Sequence, residues 1–208
     1  MRTLAIDCAT EACSVALFDG GALLGHWHEL IGRGHAEHLV PAIAALPAKG
    51  RADRVLVSLG PGSFTGVRIG LAAARALGLA WGAQVLGYPT LALVAAMARD
   101  LAGQQPVTVC MTGGHGEWFV QDYAADGLPL DALVSLPPAL ARDRRLQSVV
   151  AGSKAAELAA GASLALLPDA RAALRLPESL LATDLTPLYG RAPDASLPQP
   201  RVPQGHTA

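Results

Sequence analysis

The sequence predicts an α/β protein of mixed sheets flanked by helices, in which a shortened second half begins like the first. Two observations lead there. The first 102 residues read strand, strand, strand, helix, strand, helix, strand, helix. Three strands joined by tight turns lie antiparallel, and the alternating elements after them extend the sheet and cover both its faces. After a hinge at residues 103–106, paired strands begin again.

Residues 3–8 form an apolar, buried strand. Residues 13–19 form a second, and Asp19-Gly20-Gly21 has the chemistry of a hairpin turn. Residues 22–30 form a third, with His26 and His28 on one face. Leu39, Ile43 and Leu46 recur at spacings of four and three, which predicts a helix over 35–46. A short strand at 55–59 runs into Gly60-Pro61-Gly62, which breaks it. A long helix follows over 64–82, capped by Ser63. A strand at 84–87 and a helix at 90–101 complete the first half.

In the second half, strands are expected at 107–111 and 117–123 around Gly113-Gly114. Shorter strands are expected at 147–151 and 164–167, and a helix at 154–160. Pro137, Pro138, Pro168 and Pro177 interrupt this half. The expected division is a first subdomain over 1–103, a smaller one over 104–192, and a Pro-rich, loosely ordered tail over 193–208.

Composition excludes several function classes. Of 208 residues, 51% are hydrophobic and 16% charged, which suits a compact globular chain and not a disordered one. The net charge of -1 lacks the basic footprint of a protein that grips nucleic acid alone. Arg142, Arg144 and Arg145 read as a solvated helix end. The opening MRTLAIDC does not read as a signal peptide, because Asp7 interrupts its short apolar stretch. No apolar run approaches the ~20 residues that span a bilayer. Cys8, Cys13 and Cys110 show neither metal-binding nor redox spacing, and suit reduced thiols in a cytoplasm, the expected location.

The most specific segment is GPGSFTGVRIG at residues 60–70. A Gly-rich turn enters a helix N-terminus, where free N–H groups favour anions. It is not a P-loop, since position 66 is Gly where that motif has Lys, and it lacks GxGxxG spacing. The alternative is a tight strand-to-helix corner. Gly66, Gly70, Ala74, Gly78 and Gly82 then recur every four residues. Each helical glycine costs up to about 1 kcal/mol relative to alanine, so something must approach this backbone closely. Either the protein's own sheet and helices or a partner's helix could fill that groove. Arg68 and Arg75, seven apart, share a helix face, and at an interface they could hold carboxylates.

GPGSFTGVRIGLAAARALGLA, with AIDCATEACSVAL at the start and HAEHLVPAI between, resembles the TsaB (YeaZ) family of tRNA threonylcarbamoyladenosine biosynthesis. The likeness is strong over residues 1–125, and Pro187-Leu188-Tyr189-Gly190-Arg191 is similar to the family's C-terminal pattern. The resemblance implies the duplicated fold of actin, Hsp70 and sugar kinases, and a non-catalytic role. It implies pairing with TsaD, a paralogue that carries the metal and active site, and work beside the ATPase TsaE. It also implies a homodimer when alone, and contact with tRNA only through the complex. No cofactor is expected to bind tightly; ATP or ADP with magnesium enters only in the assembled complex. The implied partner surface lies on the helices at 35–46 and 64–82, at His35, His38, Leu39, Phe64, Thr65, Gly66, Arg68, Gly70, Ala74, Arg75 and Gly78.

The residues themselves argue against catalysis. Kinase-like members of this fold need phosphate loops and metal-holding acids. Asp7 and Thr10 sit in the first strand-turn, where such a site would begin, but Cys8, Ala9 and Thr10 make no glycine-rich loop. Thr112, before Gly113, Gly114 and His115, stands where the family commonly has an acid. His35 and His38 stand at i, i+3, but zinc wants three or four ligands and no further set is spaced for it. HExxH is absent, because Glu37 falls inside a three-residue step. Cys8, in a core strand, reads as an inert thiol. The competing hypothesis is an ATP-dependent small-molecule kinase of the same fold, motivated by Asp7 and the duplicated architecture.

Overall fold

The computed structural model describes residues 1–190; the expected loose tail at 193–208 lies outside them. The first sheet joins β1 (Arg2–Asp7), β2 (Ala12–Asp19), β3 (Ala22–Leu30), β4 (Arg54–Ser58) and β5 (Gln84–Tyr88) in the order β3-β2-β1-β4-β5. β1, β2 and β3 pair antiparallel; β4 runs parallel to both β1 and β5. The second sheet joins β6 (Val107–Thr112), β7 (Trp118–Tyr123), β8 (Val134–Leu136) and β9 (Val149–Ala151) in the order β8-β7-β6-β9. β6, β7 and β8 again pair antiparallel, and β9 runs parallel to β6. The second half thus repeats the first without its last strand. This is a duplicated plan with a shortened second half.

The helices divide by side. α1 (His35–Ala45) and α2 (Phe64–Trp81) cover one face of the first sheet. α3 (Thr90–Ala102) lies between the two sheets with a 3-10 turn, Ala170–Arg175. α4 (Pro138–Arg142) and α5 (Ala155–Leu158) cover the far face of the second sheet. Strand periodicity enforces this layering, because alternate side chains point to opposite faces. Leu4, Ile6, Val15 and Leu17 turn toward α1 and α2, whereas Ala5, Ala16 and Phe18 turn toward α3. α3 is apolar around its circumference, as a helix packed on both sides must be; Leu91, Leu93, Val94 and Ala95 are fully buried.

The shorter expectations for the second half need correction. Residues 164–167 form no strand, only a single bridge from Leu164 to Ala151. The helix expected over 154–160 is the single turn Ala155–Leu158. β8 ends just before Pro137 and α4 begins at Pro138, two elements not expected from the sequence. Elements this short hold through tertiary contacts and leave little periodic signal.

Candidate functional site

The Gly-rich corner is a backbone-to-backbone joint. Ser63 donates its amide to the Ala9 carbonyl at 2.6 Å, and its side chain caps α2 by accepting from the Gly66 amide at 3.2 Å. A Cβ at Gly62 would strike the Ala9 carbonyl, and one at Gly66 would strike the Cys8 carbonyl. Glycine is needed here because α2 begins directly on the β1–β2 turn.

The stripe of small residues faces inward, which corrects the expectation for Gly66, Gly70, Ala74 and Gly78. All four are buried against the chain's own sheet: a Cβ added at Gly70 would lie 3.6 Å from the Cys8 and Val57 side chains, and one on Gly78 would strike Val85. Gly82 ends α2 in the left-handed region at φ 66°. Leu39 is likewise core, 1% exposed, so the apolar period that located α1 reports its inner face. These five residues are unavailable to a partner in the folded chain.

The outer face is a different set. Phe64 and Val40 are each 63% exposed, and Leu79 is 88% exposed. Thr65, Arg68 and Arg75 share that face of α2. Arg68 lies 3.3 Å over the Phe64 ring and donates to the Tyr189 hydroxyl at 2.7 Å. Arg75 donates to the Leu185 carbonyl at 3.1 Å, and the Leu188 amide to the Leu59 carbonyl at 2.8 Å. Residues 185–189 therefore form a strap along α2, and both arginines fasten it. The site residues taken from the sequence omitted Tyr189, although the Pro-Leu-Tyr-Gly-Arg similarity had marked this segment.

The two histidines part company. His35 is buried and its Nε2 bonds the Thr10 carbonyl at 2.8 Å. His38 is exposed, stacks on Trp27 at 6.4 Å and bonds the Gly34 carbonyl through Nδ1. Among the described residues no group of three His, Cys, Asp or Glu could hold a metal. The arginine cluster is not simply solvated: Arg142 lies 5.0 Å over Trp118, and Arg144 pairs with Asp131 at 2.5 Å.

A cleft of about 430 Å³ opens between the halves, walled by the 9–11 turn, the Gly62–Ser63 corner, Thr112 to Gly114, Phe119 and Ser153. Asp7 does not reach it. It is 1% exposed, with its oxygens taken by the Ala9 amide at 2.9 Å and the Tyr88 hydroxyl at 3.2 Å. Burial pushes its carboxyl up to about 6, against the pull of those hydrogen bonds. Thr10 does line the cleft, but its hydroxyl accepts from the Ala12 amide. Thr112 is tied to Ser153, whose Oγ accepts the Thr112 amide at 2.9 Å. Glu11 is the one carboxylate residue among those lining the cleft, and none of them is Lys or Arg. Of the two residues expected in a nucleotide site, Thr10 lines the cleft, while Asp7 is buried in the core.

No helix among the described residues is long and apolar enough to cross a membrane.

Comparison with known proteins agrees with this geometry. The family model described as TsaD, tRNA N6-adenosine threonylcarbamoyltransferase, matches residues 26–176. The Escherichia coli tRNA threonylcarbamoyladenosine biosynthesis protein TsaB is 37% identical over 131 residues, covering 61% of this chain and 56% of that protein. The Haemophilus influenzae protein of the same name is 41% identical over 100 residues, 46% of this chain and 41% of the other. The chain therefore spans about half the length of the curated relatives it matches. Among solved structures, YeaZ from Pseudomonas aeruginosa superposes with a TM-score of 0.72 at 29% identity, over 84% of this chain and 89% of that one. The matched family model, the TsaB relatives and the shared YeaZ architecture place this chain in the TsaD-related superfamily, as a member of its TsaB/YeaZ family.

Proposed function

We propose that this chain takes part in tRNA threonylcarbamoyladenosine biosynthesis as a non-catalytic subunit, docking a TsaD-like catalytic paralogue through the outer face of α1 and α2. The observation that carries this reading is the exposed set Val40, Phe64 and Leu79 beside Arg68 and Arg75. Large apolar side chains on adjacent helices, with arginines among them, have the make-up of an interface core and its polar contacts. The sealed Asp7 and the cleft's single carboxylate support a supporting role over a chemical one. On this reading the chain works in the cytoplasm, the same face serves a homodimer when the chain is alone, and a TsaE-like ATPase and tRNA join through the complex. ATP or ADP with magnesium is then held only by the assembled complex.

Size-exclusion chromatography with light scattering tests this, using the chain alone and mixed with its TsaD paralogue. A stable heterodimer that Leu79→Arg or Val40→Asp disrupts is the expected result. Wild-type association by both variants would overturn the assignment of this face. Gly70→Arg is an unsuitable probe, because Gly70 lies in the core.

A further inference from the structure

Cys8 and Cys13 lie five residues apart, a spacing that matches no redox motif. In the fold their sulfurs stand 3.5 Å apart. β1 and β2 pair antiparallel with Asp7 opposite Ser14, so the next step of the hairpin sets Cys8 opposite Cys13. Cross-strand neighbours have Cα atoms about 4.5–5.5 Å apart. A disulfide accepts Cα separations of about 4.4–6.8 Å and needs sulfurs about 2.05 Å apart. Side-chain rotation and a small movement of the turn close the gap without refolding. We infer that Cys8 and Cys13 form a reversible dithiol–disulfide switch, oxidised by peroxide entering from the cleft, that resets the turn on which α1 and α2 are mounted.

The sulfurs lie next to a turn that borders the cleft and carries both helices. The turn joining the two cysteines, Ala9 to Glu11, is a wall of the cleft. Cys8 and Cys13 are at most 1% exposed and neither lines the cleft, so peroxide reaches them when the turn opens. The hydrogen bond from Cys8 holds the Cys13 thiol below its ordinary value, while that bond and burial drive Cys8 well above it. Either sulfur can donate in that bond, and Cys13 attacks when Cys8 is the donor. Cys110 lies in a different core cluster from Cys8 and Cys13, and burial pushes its thiol up to about 12, so it stays reduced.

The turn fastens both helices. The Cys8 carbonyl lies against Gly66, and the Ala9 carbonyl accepts from Ser63. The Thr10 carbonyl bonds His35, and the Glu11 carbonyl accepts from Ile31 and Gly32. Drawing the sulfurs together shifts these anchors as a set.

The chemistry balances. The Cys13 thiolate attacks one peroxide oxygen, the O–O bond breaks, and the departing hydroxide takes a proton to become water. Cys13 is left as a sulfenic acid. The Cys8 thiol gives up its proton, its sulfur attacks the Cys13 sulfur, and the S–O bond breaks, releasing the second water. Two thiols lose two electrons and two protons, and one peroxide is reduced to two waters. A dithiol reductant reverses the step by exchange.

The test uses the wild-type chain and hydrogen peroxide. The treated protein is denatured, alkylated without reduction and cleaved after Glu11, which lies between the two cysteines. The expected result is that the Cys8 and Cys13 peptides stay joined, dithiothreitol parts them, and Cys110 is alkylated. Two free, alkylated peptides would overturn the inference, and so would sulfinic or sulfonic acid at either position. Hydrogen exchange of oxidised against reduced chain reads the consequence. Amides in the first turns of α1 and α2 should change by about threefold or more while β6 and β7 hold. Equal exchange throughout would overturn the link to the helices. Both measurements use the isolated chain, so they stand apart from the docking reading.

Discussion

Gly66 meets the Cys8 carbonyl with no room for a side chain between them. This contact fixes where α2 begins relative to β1, and with it which face of the helix looks outward. Gly62 against Ala9 repeats the same close approach one turn earlier. The specificity of the GPGSFTG segment thus arises from two backbones touching.

The contact predicts a sharp contrast within one stripe. Gly66→Ala forces a Cβ into a backbone carbonyl, so either α2 or the turn must move. Overpacking of this kind costs about 1–3 kcal/mol or more. At Gly70 the nearest atoms to an added Cβ are at ordinary van der Waals distance, 3.6 Å. Gly70→Ala gains helix propensity there, so it should be neutral or stabilising by up to about 1 kcal/mol. Urea midpoints of the two variants check this. Equal losses at both positions would mean that the stripe acts through helix propensity alone.

The two faces of α1 and α2 separate in the same way. Leu39→Ala empties a buried site and should cost about 2–5 kcal/mol of stability. Leu79→Asp changes an 88% exposed side chain, and should shift stability by less than about 0.5 kcal/mol. Only the second variant, still folded, should lose self-association or paralogue binding. Thermal melts and light scattering on the same samples check both halves.

The sequence made the first half legible because its elements are long and each shows one period. β1 to α3 fall within a few residues of their expected positions, and the Gly-rich corner marks the β4–α2 junction correctly. The second half was less legible, since β8, β9, α4 and α5 have three to five residues each. The facing of the stripe was undecidable from spacing, because a groove of small residues suits a sheet beneath as well as a helix above. The pairing of Cys8 with Cys13 was hidden for a related reason. It depends on strand register, which a five-residue separation does not reveal. Arg68 and Arg75 were placed on one face correctly, but their fastening of residues 185–189 needed the third dimension.

That strap gives a prediction of its own. Arg68 to Tyr189 is an exposed charged hydrogen bond, and Phe64 and Tyr189 lie with ring centroids 6.4 Å apart. Tyr189→Phe removes only the hydroxyl and should cost no more than about 1 kcal/mol. Tyr189→Ala removes the ring too and should release the strap. The Leu188 amide, bonded to the Leu59 carbonyl, should then exchange roughly tenfold faster. An unchanged Leu188 amide in the alanine variant would show that Arg75 and Leu188 hold the strap without Tyr189.

Asp7 predicts a pH signature of buried charge. Its folded value of about 6 lies above the usual 3.8, chiefly through burial. Between those values the folded chain binds the proton more tightly than the unfolded chain. Stability from this group is therefore full below about pH 4, falls as pH rises through the folded value, and levels off above it. Asp7→Asn keeps an oxygen for the Ala9 amide and presents an N–H₂ to the Tyr88 oxygen, whose own proton can go to the Ile6 carbonyl at 2.9 Å. The variant should match wild type near pH 4 and exceed it by about 1–3 kcal/mol at pH 7 to 8. Urea unfolding across that range gives the gap at each pH. A gap that grows between about pH 4 and 6 and then holds would establish a carboxyl sealed in the core for structure. A constant gap would mean that Asp7 titrates as an exposed acid does, and that the turn opens to the cleft in solution.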